Sequence, residues 1–205
     1  MVAHARPLWS RDLLIDTAVE LLRDGGAGTV TVDAVTTAAQ ISRATLYRQF
    51  PNCGELVAAA FRELVPPNPA PPATGDWQTR LTAVLAEQAQ QVSDSPHLVA
   101  GLCWLALERG ASARLDEVLL PGEGDAVETR ALCDRMREWC IVPLFDVLDS
   151  PQAAAELGEI DRELVFALLI APTLCGASGR TQVWAHAVVS AFAQAHTSPQ
   201  AGATS

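Results

Sequence analysis

Residues 31 to 57, TVDAVTTAAQISRATLYRQFPNCGELV, constrain this chain more than any other stretch, because three capped helical patterns follow one another with only short turns between them. Thr31 is a good N-cap for a helix of about two turns in which Val32, Val35 and Ala39 recur at i, i+3 and i+7 and form one apolar stripe. Ser42 caps the next helix. There Ala44, Leu46 and Phe50 are placed to pack inward, while Arg43, Thr45, Tyr47, Arg48 and Gln49 carry polar groups away from the core. Asn52 with Glu55 resembles a capping box and opens a third helix, with Val57, Phe61 and Leu64 on one face. Upstream, Ser10 is the expected cap of a helix that puts Leu14, Ala18, Leu21 and Leu22 on one side and ends at Gly25-Gly26. Such a small bundle presents one helix outward, and its composition suits the reading of nucleic acid.

The offsets of Thr31, Val35, Ala39, Ile41, Thr45, Leu46, Tyr47, Phe50 and Leu56 resemble the DNA-binding domain of the TetR/AcrR transcriptional regulators. The resemblance implies an all-α fold: a TetR-type DNA-binding domain of three or four helices over residues 1 to 65, its helix-turn-helix at about 31 to 50, then a helical ligand-binding and dimerisation domain. Three residues depart from the family's pattern. Gln40 stands where the turn usually has Gly, so a left-handed backbone there costs on the order of 1 kcal/mol. Cys53 replaces a Lys that usually meets a phosphate. Asp33 suits the dipole of its helix but repels a nearby phosphate.

Charge partly opposes a DNA partner. The formal net charge is −10, and all 14 basic residues are Arg. Residues 1 to 63 hold six Arg against seven acidic residues, and the remainder holds eight against seventeen, so the acidity belongs to the second part of the chain. A near-neutral head grips DNA if Arg6, Arg11, Arg43 and Arg48 share a face.

Proline marks the boundary. PPNPAPPATGD, residues 66 to 76, cannot be helical and forms a linker that either spaces the domains or folds back over the body. By the resemblance, residues 77 to 205 are expected to form the regulatory and dimerisation domain. Trp77, Leu81, Val84, Leu85, Gln88 and Val92 make one stripe; Ser95-Pro96 opens an apolar, central helix from His97 to Leu107. A long helix runs from about Asp125 to Leu148 with a kink at Pro143, and a short segment follows Ser150-Pro151. The last two helices are apolar nearly all round, which means a buried position or a subunit interface. The resemblance implies the interface of a homodimer, formed by Phe166, Ala167, Leu169, Ile170, Leu174, Trp184, Val188 and Phe192.

A dimer reads two half-sites, so the expected partner is a double-stranded DNA operator that is an inverted repeat. Arg43 and Arg48 are the candidates for guanine edges, Gln49 for adenine and the Thr45 methyl for thymine, with Ala44 in the same set. Thr31 and Tyr47 are assigned to phosphates. By resemblance, the body holds a pocket for a small apolar or aromatic effector, lined by Trp77, Trp104, Leu107, Trp139, Cys140, Phe145 and Phe166, whose occupancy releases a repressor from DNA. The alternative is a helical dimer with weakened DNA binding that acts through a ligand or protein partner.

Other classes find little support. No GxSxG or phosphate-binding glycine loop occurs, and no nucleophile stands at a recognisable spacing from His97, His186 or His196, so the chain does not read as an enzyme. Five cysteines without a CxxC pair give no metal-ligand spacing, and no cofactor is implied. Without a secretory signal or a run of about eighteen apolar residues, the expected location is the cytoplasm, away from the membrane.

Overall fold

The computed structural model describes residues 6–108, 118–120, 122, 124–160, 165–170, 173 and 181–197. Among them the elements are helical and no strand occurs. Four helices come from the N-terminal segment: α1 (Arg6–Gly25), α2 (Val32–Ala38), α3 (Arg43–Gln49) and α4 (Cys53–Leu64). Then follow α5 (Trp77–Asp94), α6 (His97–Glu108), α7 (Val127–Leu148), α8 (Pro151–Leu157), a π turn (Phe166–Ile170) and α9 (Thr181–Thr197). None is long and apolar enough to cross a membrane. Helix α1 starts upstream of the expected cap at Ser10. Pro7 lies in its first turn, where a missing N–H removes no helical hydrogen bond, so the helix extends back to Arg6.

Contacts divide the chain into two compact units. The first comprises residues 1–66 and 97–136, the second 67–96 and 137–205. Residues 97–136, expected in the C-terminal domain, therefore fold with the N-terminal helices. Apolar burial explains this: Leu98, Leu102 and Leu105 of α6 are buried, and α6 packs on α4. Phe61 and Trp104 stand 6.1 Å apart at their ring centroids. Gly101 makes the approach possible, since a Cβ there would lie 2.9 Å from Met136 Cε and 3.3 Å from the Phe61 ring. Helix α6 is not buried all round, however: Leu107 is 72% exposed and Cys103 is exposed.

In the second unit α9 packs along α5. The stripe Trp77, Leu81, Val84, Leu85, Gln88 and Val92 is buried as its spacing predicts, together with Trp139, Leu144, Val147 and Phe192. The proline-rich segment folds back along α5. Pro69 is buried, Arg80 Nε donates to the Pro72 carbonyl at 2.9 Å, and Gln91 Nε2 donates to the Pro67 carbonyl at 3.3 Å. Asp76 then caps α5 by accepting from Thr79 N at 2.7 Å.

Pro143 sits inside α7 and has no N–H to offer the Trp139 carbonyl four residues back. Gln88 supplies the missing donor, its Nε2 lying 2.8 Å from that carbonyl and 3.3 Å from the carbonyl of Cys140. An amide 2% exposed in an apolar core is thereby accounted for. Gln88→Met should cost about 1–3 kcal/mol by leaving the carbonyl unsatisfied. In a Pro143→Ala background, where the backbone N–H returns, the same substitution should cost less. Urea unfolding of both single variants and the double variant checks this, and equal losses in the two backgrounds would rule out the substitution of side-chain for backbone donor.

Candidate nucleic-acid interface

Local chemistry builds the first half of the site. Thr31 accepts from Ala34 N at 3.2 Å and Ser42 from Thr45 N at 3.2 Å, so the predicted caps set the starts of α2 and α3. Between them Gln40 takes φ 54. Gln40 N donates to the Thr37 carbonyl at 3.3 Å and Ile41 N to the Thr36 carbonyl at 3.1 Å, the paired bonds of a Schellman turn. The left-handed cost expected for a non-glycine residue is therefore present, on the order of 1 kcal/mol, and the turn's hydrogen bonds hold it.

Helix α3 has a dry side and a wet side. Leu46 and Phe50 are fully buried. Ala44, Tyr47 and Arg48, at i, i+3 and i+4, are exposed on one face. Ala44 thus departs from the inward placement expected from pattern: at two turns, α3 turns only Leu46 and its cap Phe50 fully inward. Thr31 is exposed; Gln49 and Thr45 are half-buried, and the Thr45 hydroxyl lies 3.0 Å from that of Ser42.

The four arginines expected to share a face do not act alike. Arg43 is paired with Asp33, both exposed, so the acid that was expected to repel phosphate instead neutralises a neighbouring cation. Arg11 is turned to Glu128 at 2.5 Å, with its guanidinium 4.3 Å from the Phe50 ring centroid. Arg48 is exposed and makes no ion pair among the described residues, while the side chain of Arg6 lies outside them. At the family's usual Lys position, Cys53 is half-buried, with Sγ 3.0 Å from the Val30 carbonyl, and burial pushes its thiol above the ordinary value. It anchors the start of α4 to the segment before α2 and offers no charge.

Glu55 overturns the expected capping box. Asn52 does cap α4, accepting from Glu55 N at 2.9 Å, but the Glu55 carboxylate reaches α7 instead. It accepts from Glu128 N at 2.9 Å, Thr129 N at 3.2 Å and Thr129 Oγ1 at 2.9 Å. Sequence separation hid both this contact and the role of Glu128, since no local spacing joins positions 73 residues apart.

The residues expected to line an effector pocket fall in both units. Trp104 and Leu107 belong to the first, Trp77, Trp139, Cys140 and Phe145 to the second. Trp77, Trp139 and Cys140 are buried core, and burial pushes the Cys140 thiol up to about 12. Within the first unit a cavity of about 270 Å³ is lined by Trp104 with Asn52, Gly54, Glu55, Glu108 and Thr129, among others. Of the expected interface residues, Leu169, Ile170 and Phe192 are buried inside the second unit of a single chain and belong to its own core. Trp184 and Val188 are half-buried on α9. Leu174 lies outside the described residues, as do the side chains of Phe166 and Ala167.

Two capped helices joined by a left-handed turn, with the second presenting an exposed polar face, define a helix-turn-helix protein. Residues 14–60 match the family model described as bacterial regulatory proteins, tetR family. Uncharacterised HTH-type transcriptional regulators of Mycobacterium bovis and Mycobacterium tuberculosis are 43% identical over 68 residues. That match covers 33% of this chain and 34% of each relative. A solved tetR-family transcriptional regulator from Streptomyces coelicolor shares the fold with a TM-score of 0.55, at 23% identity over 95% of this chain and 84% of that one.

Proposed function

We propose that this protein is a transcription regulator that binds an inverted-repeat DNA operator as a homodimer and acts as a repressor. The observation that carries the reading is the exposed face of α3, where Arg48 projects a guanidinium without an ion-pair partner among the described residues. Arg48 is assigned to a guanine edge, Gln49 and Thr45 to neighbouring bases, and Thr31 and Tyr47 to phosphates. One head of this size buries too little for a specific complex, whereas two related by a twofold axis engage half-sites about 34 Å apart. Helix α9 is the proposed pairing element, through Trp184 and Val188 beside Val183, which is 66% exposed.

Arg48→Ala should weaken operator binding by about 1–3 kcal/mol and relax preference at one base pair in each half-site. Gel-shift titration against the DNA upstream of the protein's own gene, with random DNA alongside, measures both. Equal losses on the two DNAs would assign Arg48 to a phosphate.

For effector release the support is the cavity beside Trp104. Its acidic lining, Glu108 and Asp125 beside the buried Glu55, suits a small polar or cationic compound better than the apolar one expected from the tryptophans. A second reading, a dimer with weakened DNA binding that works through a ligand or protein partner, is favoured by the Arg43–Asp33 pair and the uncharged Cys53. A wild-type protein that fails to separate operator from random DNA at any salt concentration would select it.

A further inference from the structure

Arg11 and Glu128 stand 117 residues apart in sequence and meet beneath the reading helix. Arg11 Nη1 donates to the Gln49 carbonyl at 3.1 Å, and its guanidinium covers the Phe50 ring. Gln49 is the last residue of α3, and its carbonyl is one of those a helix leaves without an internal partner. The other fork nitrogen, Nη2, is held by Glu128 Oε1 at 2.5 Å. Glu128 Oε2 in turn binds Arg62 Nη1 of α4 at 2.8 Å, and the Glu55 carboxylate caps the same turn of α7. The Glu128 side chain is only 10% exposed, so solvent competes little for these bonds.

A two-turn helix has no stable orientation of its own and takes its aim from what holds its ends. Ser42 and Leu46 secure the start and middle of α3; Arg11 secures its C-terminal end and is itself fixed by α7. We propose that Arg11 and Glu128 are positioning residues for DNA recognition, a joint through which the first turn of α7 sets the aim of α3. The inference rests on the regulator reading above. Arg62 shares Glu128 without touching α3 in any bond described, which makes it the internal control.

The test uses the full-length chain and four variants, Arg11→Gln, Glu128→Gln, their double variant and Arg62→Gln. Arg11→Gln and Glu128→Gln should each lower affinity for the operator about tenfold while changing affinity for random DNA by less than about twofold. The double variant should be no worse than either single one. Hydrogen exchange of the α3 amides should quicken in these three variants and not in Arg62→Gln, with α9 amides unchanged in all. Arg11→Lys covers the case of a misfolded Gln variant: it keeps the charge against Glu128 but loses the planar fork, and should give the same pattern in weaker form. Unchanged α3 exchange in folded variants, or an equal response in Arg62→Gln, would overturn the joint. A wild-type chain that fails to distinguish operator from random DNA defeats the regulator reading instead, and the exchange measurement, which needs no DNA, still decides whether α7 holds α3.

Discussion

Replacing Phe50 with Ala is expected to lower the stability of the first unit by about 3–5 kcal/mol, the loss typical of a fully buried aromatic ring. Phe50 is the C-cap of α3 and has no exposed surface; Arg11 lies against one face of the ring. Truncation leaves a cavity beneath the reading helix and removes the apolar ground on which that guanidinium rests. Tyr47, three residues earlier on the same helix, is 52% exposed, and Tyr47→Ala should change stability by no more than about 0.5 kcal/mol. Urea unfolding followed by circular dichroism separates the two. Comparable losses would mean that α3 does not have the dry and wet sides described, and the assignment of Tyr47 to DNA would fall with it.

What was legible in the sequence was local. Thr31, Ser42 and Asn52 cap their helices as their positions predict, because a cap bonds an N–H only three residues away. The resemblance marks Gln40 as a turn position where a left-handed backbone carries a cost, and Gln40 does take φ 54. The pairing of Asp33 with Arg43 is not legible from spacing on one helix, because Arg43 lies across the turn. For Leu169 and Phe192, composition signals burial but not whether the cover comes from the same chain or a second copy. The open alternative for residues 66 to 76 was settled by Arg80 and Gln91, which reach back to its carbonyls. Arg11 was read as a DNA grip for a related reason: a cation near the start of a helix-turn-helix domain carries no mark of the carboxylate waiting on α7.

Glu55 gives the sharpest case in which a local motif and a tertiary contact compete for one side chain, and energy separates them. Its carboxylate, 3% exposed, serves the first turn of α7 through two backbone N–H groups and the Thr129 hydroxyl. A cap is worth up to about 2 kcal/mol and a negative group at a helix N-terminus up to ~2 more in partly buried geometry, so Glu55→Ala should cost about 3 kcal/mol. Glu55→Gln keeps one acceptor oxygen and should fall between wild type and Ala, while Thr129→Val should lose only about 1 kcal/mol. Asn52→Ala removes the cap of α4, whose acceptor bonds the Glu55 backbone and not its side chain. Its cost should therefore add to that of Glu55→Ala within about 0.5 kcal/mol. Strong coupling between those two substitutions in thermal unfolding would return Glu55 to a capping box on α4. The first turn of α7 would then keep only the Glu128–Arg62 pair as its described anchor on α4, and the hold on the reading helix would run through Glu128 and Arg11.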